Sequence, residues 1–274
     1  MTAPRPTLEF VGTATTVLRL GPFTLLTDPN FLHRGQRAYL GKGLFSRRLT
    51  EPSLHPAELP ALDAVVLSHL HGDHFDRLAR AELDRRLPIL TTTAAADRLH
   101  GWGFEAAQAL ATWASTVLRR DGWTLTVTAV PGVHAPAPVR RLMPPVMGTV
   151  LTLQAPDAGV FRLYLSGDTL FRPWLGEITD RTGPLDAAVV HLGGTRVLGL
   201  LVTMDGEQGA DLVELLAPGV TVPVHHDDYT VFRSPLSDFL DACARRGLPS
   251  EVRAVDRGDV VPLDRPVVPG NRGH

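Results

Sequence analysis

The sequence has one cysteine, no long apolar run and no excess of charge of either sign. A lone thiol, Cys243, cannot form an intrachain disulfide, so the chain needs no oxidising compartment. The helix-like run around Cys243 favours a buried packing role over reactivity. No segment reaches the ~18 apolar residues of a transmembrane helix, and the N-terminus lacks the apolar core of a signal peptide. These absences predict a soluble, cytoplasmic protein.

The charge balance argues against polyanionic partners. The chain has 27 lysines and arginines against 29 aspartates and glutamates, a formal net charge of -2. This gives no electrostatic reason to expect nucleic acid or an anionic membrane surface. The favoured partner is therefore a small-molecule substrate, which can include an anionic group, and the oligomeric state stays open.

The apolar content is sufficient for a large core. In 274 residues, 44% are hydrophobic, and the sequence shows neither a tandem repeat nor a low-complexity linker. We expect a single domain over residues 1–264, followed by a C-terminal tail at 265–274.

Short apolar runs bounded by turn residues predict many strands and few helices. The predicted strands are 8–12, 15–20, 23–28, 63–68, 88–93, 123–130, 149–154, 161–166, 186–192 and 220–224. The predicted helices are 75–87, 94–103, 206–218 and 234–247, and hairpin turns are predicted at 21–22 and 156–159. The irregular connection 29–60 is long enough to suggest a functional loop that shapes a pocket or a subunit contact.

The stretch LSHLHGDHFD at 67–76 holds three of the chain's 11 histidines. It follows an apolar run typical of a buried strand. His69 and His71 are two apart, so an extended backbone points both the same way. Gly72 then permits a tight turn with unusual dihedral angles, which redirects Asp73 and His74 to a neighbouring point. Imidazole and carboxylate suit zinc, and the segment can serve two ions about 3.5–4 Å apart.

Further potential ligands also follow apolar strands. His134, Asp168 and His225 come after the predicted strands that end at residues 130, 166 and 224. Loops at one end of a sheet can converge on one site, whereas scattered surface histidines would show no such preference. Asp168 has two carboxylate oxygens and could bridge two ions. An ordinary surface or core role is kept for the isolated histidines His33, His55, His100 and His274.

These motifs resemble the metallo-β-lactamase superfamily. HLHGDH fits its His-x-His-x-Asp-His signature, and VPGVH, SGDT and PVHHDD fit its later histidine, bridging aspartate and final histidine. Within the superfamily, the chain looks most similar to the group that contains ascorbate-6-phosphate lactonases and N-acyl-phosphatidylethanolamine phospholipase D. The resemblance implies an α/β fold, the αββα sandwich, in which two mixed β-sheets are flanked by helices and the metals lie at one edge.

The resemblance also implies a role for each donor. One metal is held by His69, His71 and His134. The other is held by Asp73, His74 and His225, with Asp168 shared. His225 is preferred because it occupies the third position of the PVH motif, and a shifted register would make His226 the ligand instead.

Three further polar residues each have two interpretations. Asp28 could orient a metal ligand or form a turn before proline. Asp76 could bond a metal histidine or cap the following helix. His191 ends a predicted buried strand and could contact substrate or donate a proton to a leaving group, or it could be a structural histidine.

Five other residues are weaker candidates. Arg140 and Arg141 follow His134 closely and could meet an anionic group, although a solvated arginine pair is more common. Met204 and Asp205 are best interpreted as a packing residue and a helix N-cap. Tyr229 could face the pocket.

These residues predict a metal-dependent hydrolase. It would use a dinuclear site to activate water for attack on a small-molecule ester, lactone or phosphodiester, with Asp73 and His191 as candidate catalytic residues. The expected cofactors are two divalent ions, zinc by ligand type, although manganese and iron accept the same donors. A metal-dependent redox enzyme and a non-catalytic metal-binding relative are the competing hypotheses.

Overall fold

A computed structural model describes residues 5–137, 139–156 and 159–265. Within these ranges the chain forms two seven-stranded sheets, two two-stranded hairpins and five α-helices. The strands are β1 (Thr7–Gly12), β2 (Thr15–Leu20), β3 (Phe23–Thr27), β4 (Arg37–Tyr39), β5 (Phe45–Arg47), β6 (Ala64–Val66), β7 (Ile89–Thr91), β8 (Ala107–Ala109), β9 (Ser115–Arg120), β10 (Trp123–Pro131), β11 (Met147–Gln154), β12 (Val160–Leu165), β13 (Ala187–His191), β14 (Arg196–Val197), β15 (Leu200–Leu201), β16 (Val220–Val224), β17 (Glu251–Val252) and β18 (Val260–Pro262).

The helices are fewer and short. They are α1 (Arg77–Glu82), α2 (Thr93–His100), α3 (Glu177–Thr182), α4 (Gly206–Leu216) and α5 (Leu236–Arg246). Three 3-10 turns cover Pro56–Glu58, Arg140–Leu142 and Pro173–Gly176. Among the residues that the structure describes, no helix has the length and apolarity to traverse a bilayer.

Both large sheets are mixed. The first has the order β18-β1-β2-β3-β6-β7-β8, antiparallel from β18 to β3 and parallel from β3 to β8. The second has the order β17-β16-β13-β12-β11-β10-β9. Its strands are parallel from β17 to β12 and antiparallel from β12 to β9.

The central strands are apolar on both faces because each lies between two packed layers. Successive side chains of a strand point to opposite faces. Val66 and Val189 therefore meet other apolar side chains in the core between the two sheets. Val65 packs outward with residues of α1 and α2, and Val190 packs outward with residues of α3, α4 and α5. The predicted αββα sandwich is confirmed.

Several predicted boundaries were wrong at the helix ends. The helix predicted at 75–87 covers only Arg77–Glu82, because Asp76 caps its N-terminus and Asp84 forms a turn by accepting the Arg86 amide proton at 2.9 Å. The helices predicted at 206–218 and 234–247 end where Ala217 and Gly247 adopt left-handed backbone angles.

The connection at 29–60 is not wholly irregular. It contains the β4–β5 hairpin and one 3-10 turn. The elements missed from sequence are β4, β5, β8, β9, β14, β15, β17, β18 and α3. Most have two or three residues, too few to produce a periodic pattern, and they form because a neighbouring strand offers hydrogen bonds.

The predicted hairpins between β2 and β3 and between β11 and β12 are confirmed by their antiparallel register. Residues 157 and 158 of the second turn lie outside the described residues. Of the predicted tail, Arg265 is described and donates to the Gly219 carbonyl at 2.9 Å. Residues 266–274 and His274 with them lie outside, and the boundary after 264 stays a prediction.

Candidate metal centre

The candidate site lies where several strands end at one edge of the two sheets. Residues 67–76 continue from β6, and His134, Asp168 and His225 follow β10, β12 and β16. A hydrogen bond of 3.1 Å from the Met147 amide to the Ser68 carbonyl joins the sheets at this edge. The structure brings together all seven donors named from the sequence, and all are buried: His69, His71, Asp73, His74, His134, Asp168 and His225.

Three histidines form one compact group. His69 Nε2 lies 3.0 Å from His71 Nδ1, and His134 Nε2 lies 3.2 Å from the same atom. Nitrogen ligands about 2.0–2.1 Å from a tetrahedral ion would be roughly 3.3 Å apart. The spacing of these nitrogens therefore fits ligands that share one ion.

Asp168 joins this group to the others. Its Oδ2 lies 3.3 Å from His74 Nε2 and 3.9 Å from His134 Nε2, and its Oδ1 lies 3.6 Å from His225 Nδ1. His225 Nε2 in turn lies 3.5 Å from Asp73 Oδ2. The donors form overlapping triads whose ligand atoms lie within 4.8 Å of one another: His69, His71 and His134; His69, His74 and Asp168; and Asp73, His74 and His225.

Backbone carbonyl oxygens hold the back of two histidine rings. His134 Nδ1 donates to the Val202 carbonyl at 2.8 Å, and His225 Nδ1 donates to the Leu192 carbonyl at 3.0 Å. A carbonyl only accepts, so these Nδ1 atoms carry the proton. In a neutral ring each Nε2 must then present a lone pair to the cluster. This orientation is how proteins prepare histidines for metal.

Ser68 and Asp28 do the same for the rings of His69 and His74. The Ser68 hydroxyl donates to Asp28 Oδ2 at 2.9 Å and so can accept from His69 Nδ1 at 3.0 Å. His74 Nδ1 donates to Asp28 Oδ2 at 3.0 Å. Of the two interpretations of Asp28, the geometry therefore favours the one in which it orients a ligand. Sequence reasoning missed Ser68, although it directly precedes the first histidine, and no sequence signal marks a backbone carbonyl.

The electrostatics separate the first group from the second. Burial lowers the pKa of His69 and His134, and it lowers the pKa of His71 to about 3. Burial also acts to lower the pKa of His74 and His225, but the surrounding carboxylates outweigh it and raise both. Burial thus disfavours positive charge on the first group, whereas the carboxylates favour it on the second.

The residues present fit divalent metal ions. Asp73 Oδ1, His74 Nε2, Asp168 Oδ1 and His225 Nε2 are buried without a hydrogen-bond partner among the described residues. Unpartnered buried polar atoms are costly, and so is the burial of the Asp73 and Asp168 carboxylates away from water. Cations between these atoms remove both costs, and imidazole with carboxylate is the donor set of zinc, manganese and iron.

A fourth triad, of Asp28, His74 and His191, lies behind the cluster. The Asp28 carboxylate is already used there, because it accepts from the Ser68 amide at 2.7 Å, from the Ser68 hydroxyl and from His74. Burial acts to raise the pKa of Asp28, but His74 and His191 lower it to about 2. This carboxylate serves to position His74.

His191 contacts Asp28, which holds the donor His74, and is not itself one of the seven donors. Its Nε2 lies 3.4 Å from Asp28 Oδ2, its Nδ1 lies 3.2 Å from Ser166 Oγ, and its side chain is 3% exposed. It does not line the open cavity over the cluster. The geometry therefore favours the structural interpretation over proton donation to a leaving group.

We expect His191→Ala to retain the bound metal and to lower the hydrolytic rate about tenfold. This is the smaller of the losses that usually follow when a residue behind the metal ligands is replaced. Metal content and the pH profile of kcat measure this. His191→Gln, which keeps a polar contact to Asp28, should recover part of the rate. Kinetics identical to the wild type would remove His191 from the mechanism.

The remaining candidates lie outside the cluster. The Asp76 carboxylate caps α1 by accepting the amide protons of Leu78 and Ala79, both at 2.8 Å. Asp205 caps α4, and Met204 is buried in the core. The geometry therefore favours the helix-cap interpretation of both Asp76 and Asp205.

The positions of His226, Tyr229 and the arginine pair place them away from the donors. His225 enters the cluster, whereas His226 Nδ1 lies 3.8 Å from Asp227 Oδ1. Tyr229 is buried, and its hydroxyl donates to Asn30 Oδ1 at 2.9 Å instead of facing the pocket. Arg140 and Arg141 lie in an exposed 3-10 turn and line neither cavity at the cluster.

Cys243 and the isolated histidines have ordinary roles. Cys243 lies in α5 and is buried in the core together with apolar residues of α4. Burial raises its pKa to about 11. His33 and His55 stack on each other with ring centroids 5.0 Å apart, and His100 Nε2 contacts the Ala107 carbonyl at 2.9 Å.

Gly72 has a different role from the one predicted. Its φ is not positive, so it is not required for an unusual dihedral angle. Instead, a Cβ there would lie 2.7 Å from the backbone N and O of Tyr39 in β4. The Gly72 amide donates to the Tyr39 carbonyl at 2.9 Å, and Asn30 Nδ2 donates to the Gly72 carbonyl at 2.8 Å. The absent side chain lets the β4–β5 hairpin close against the metal-binding turn.

We expect Gly72→Ala to reduce stability by roughly 1–3 kcal/mol, as overpacking does, and to reduce metal affinity because the turn must move. Urea unfolding and metal titration measure the two effects. Gly176→Ala is the matched control, since its Cβ would meet Leu215 at an ordinary 3.5 Å. Equal behaviour of the two variants would contradict the close-approach explanation.

A cavity of about 130 Å³ opens over the cluster. His71, His134, Asp73 and Asp168 form its floor. Its other walls are largely apolar and come from the β4–β5 and β14–β15 hairpins and nearby loops: Leu40, Leu44, Phe45, Met143, Val197, Val202 and Val231. A small molecule can therefore reach the donors from this side.

The sequence pattern of one protein family covers most of the chain. Residues 24–226, which include all seven donors, match the beta-lactamase superfamily domain. The chain belongs to this family. The predicted superfamily is thereby confirmed, whereas the finer group that the motifs resemble stays a prediction.

Three proteins similar to this beta-lactamase superfamily chain share less than 30% of its sequence. An uncharacterized protein of Mycobacterium tuberculosis is 26% identical over 259 residues, 91% of this chain, and the chain spans 66% of that protein's length. A UPF0173 metal-dependent hydrolase of Thermus thermophilus is 28% identical over 94% of this chain and 99% of its own. The crystal structure of a possible metal-dependent hydrolase of Veillonella parvula matches the fold with a TM-score of 0.78 at 21% identity, covering 94% of this chain and 100% of that one.

Proposed function

We propose that the protein is a metal-dependent hydrolase with a dinuclear centre, most suited to zinc, that acts on a small-molecule ester, lactone or phosphodiester. The observation that carries this proposal is the orientation of the histidines. Carbonyl or carboxylate groups fix the Nδ1 proton of His74, His134 and His225, so the Nε2 atom of each ring faces a buried cluster and offers its lone pair there when a metal ion displaces any second proton. Family membership and the name of the Thermus thermophilus relative support the same activity.

Each donor has a proposed place. His69, His71 and His134 hold one ion, Asp73, His74 and His225 hold the other, and Asp168 contacts both. This division follows the observed triads, and the distances from Asp168 Oδ2 to His74 Nε2 and His134 Nε2 suit a shared ligand.

Divalent ions bound there would lower the pKa of a water molecule from about 15.7 to about 7 and polarise a substrate oxygen. The chain's own residues supply the rest. Asp73 lines the cavity, so its carboxylate can accept a proton from a water molecule that enters it. The apolar walls exclude other water and strengthen these electrostatic contacts.

The decisive experiment loads the protein with zinc or manganese and tests lactones, esters and phosphodiesters side by side. We expect hydrolysis of at least one class, loss of activity with a chelator and recovery when metal is restored. His100→Ala should behave as the wild type, because His100 is exposed and contacts the Ala107 carbonyl, not a residue of the cluster. A full metal complement without hydrolysis would favour a binding role, and bound iron with oxygen uptake would favour a redox role.

A further inference from the structure

We propose that a phosphate-type oxyanion binds beside the metal centre, in a cavity that we call the arginine cavity. It is defined by Arg37, Arg77, Arg80 and Trp102 together with His71. Its volume is about 340 Å³, which lies in the range of small-molecule sites. No donor of the metal cluster other than His71 lines it.

The arginines come from separate parts of the chain. Arg37 is in strand β4 of the hairpin, and Arg77 and Arg80 are in α1, directly after the metal-binding turn. The hairpin is held against that turn by the Gly72–Tyr39 hydrogen bond. The same contact that closes the metal site therefore also brings the three guanidinium groups around one cavity.

These three cations lack counter-charges in the part of the chain that the structure describes. None of them forms an ion pair or a side-chain hydrogen bond with residues 5–137, 139–156 or 159–265. By contrast, Arg86 and Arg120 pair with Asp84 and Asp63. Three like charges around one concave surface repel each other and raise the local concentration of anions.

The acidic group in the cavity wall, Asp76, is bonded to backbone amides and forms no ion pair with these arginines. Asp76 Oδ1 accepts from Leu78 and Ala79, and Asp76 Oδ2 accepts from the amides of Phe31 and Leu32, at 2.5 and 2.7 Å. Both oxygens are thus occupied by backbone donors. The three guanidinium groups are therefore free to bond an anionic ligand, and they match the oxygens of phosphate in paired hydrogen bonds.

The rest of the wall is apolar, which indicates an organic ligand. The Arg80 guanidinium lies over the Trp102 ring, 4.4 Å from its centroid, so both the charge and the aromatic face are fixed in one place. Phe45, Phe75 and Leu70 complete this side. A phosphate group attached to an aromatic or aliphatic body would satisfy both halves of the cavity.

Phe45 and His71 line both the arginine cavity and the cavity over the cluster. One ligand could therefore place its phosphate on the arginines and its reactive group over the metal donors. This assignment of the anion to a substrate rests on the proposed hydrolase function, whereas the anion site itself does not.

Calorimetric titration of the metal-loaded protein with phenylphosphonate tests the proposal, since this probe has no ester bond to cleave. We expect the double variant Arg77→Gln/Arg80→Gln to bind at least about tenfold more weakly than the wild type. Both residues are exposed, so the fold should be retained, as circular dichroism can verify. Arg98→Gln is the matched control. Its guanidinium lies 5.3 Å from the Trp102 ring centroid but outside the cavity wall, and its affinity should be unchanged.

Two further arms separate the possible sources of binding. Asp168→Asn should still bind phenylphosphonate, and loss of binding in that variant alone would mean that the anion sits on the metals, which overturns the inference and leaves the hydrolase proposal intact. Inorganic phosphate should bind more weakly than phenylphosphonate, and Trp102→Leu should remove that difference. Equal affinity of the double variant and the wild type, or no binding at low salt, would also overturn the inference. Binding that follows the arginines in a protein without hydrolytic activity would uphold the anion site and reject the hydrolase.

Discussion

Asp168→Ala is expected to lose both metal ions and to reduce hydrolysis at least about 1000-fold, which corresponds to about 4 kcal/mol. Asp168 lies within 3.3 to 3.9 Å of His74, His134 and His225, so its removal takes a ligand from each half of the site. His71→Ala should also abolish hydrolysis. It should release mainly one ion, because His71 contacts His69 and His134 but belongs to no triad with Asp73.

Metal content after dialysis, measured by elemental analysis, and the rate on the best substrate check both expectations. Thr203→Val is a matched control: the Thr203 hydroxyl donates to Asp168 Oδ2 at 3.4 Å but is no part of any donor triad. It should keep both ions with a modest loss of rate. Retention of two ions by Asp168→Ala or by His71→Ala would contradict the proposed ligand assignment.

The donors could be predicted from the sequence because strands that precede them are easily recognised as apolar runs. Ala64–Val66 and Val220–Val224 are buried on both faces, so each appears as a largely apolar run with a clear end. The parallel strands β12, β13 and β16 all end at one edge, and any polar residue just beyond them is brought near its counterparts. Motif and strand end therefore supported each other at Asp168 and His225.

What could not be predicted depends on contacts between segments far apart in the chain. Asn30, Arg48 and Tyr229 form one buried network. Tyr229 lies more than 180 positions from the other two residues, and no local sequence pattern links residues so far apart. Arg37 and Arg77 meet at one cavity only because the β4–β5 hairpin, itself hidden in an apparent loop, closes on the turn at Gly72. His191 was recognisable as the end of a strand, but whether its ring faced the substrate side or Asp28 was a question of packing.

The second large effect concerns the buried ion pair between Arg48 and Asp228. Both side chains are 0% exposed, and Arg48 Nη2 lies 3.4 Å from Asp228 Oδ1. Asp228 also accepts from the Thr13 amide at 2.7 Å and from Arg257 Nε at 3.0 Å. Arg48 Nη1 donates to the Asn30 carbonyl at 3.1 Å, and Asn30 in turn holds the Gly72 carbonyl of the metal-binding turn.

We expect Asp228→Ala to lower the free energy of unfolding by about 3–5 kcal/mol, because it leaves the Arg48 cation buried without its partner. Arg48→Met should cost less, since Arg257 still compensates Asp228, and the double variant Arg48→Met/Asp228→Ala should be more stable than Asp228→Ala alone. Urea unfolding of the metal-loaded proteins measures these values. Arg86→Ala, which removes an exposed pair with Asp84, should show no measurable change and serves as the control.

The pair also sets a direction for the pH dependence of stability. Burial acts to raise the pKa of Asp228, but Arg48 and Arg257 outweigh it and lower that pKa. A carboxyl group whose folded-state pKa is lowered stabilises the fold fully above its ordinary value of about 3.9, and this contribution is lost as the pH falls through the lowered value. Between neutral pH and strong acid the wild type should therefore lose more stability than Asp228→Asn. Parallel stability curves for the two proteins would show that the Asp228 charge contributes nothing to folding.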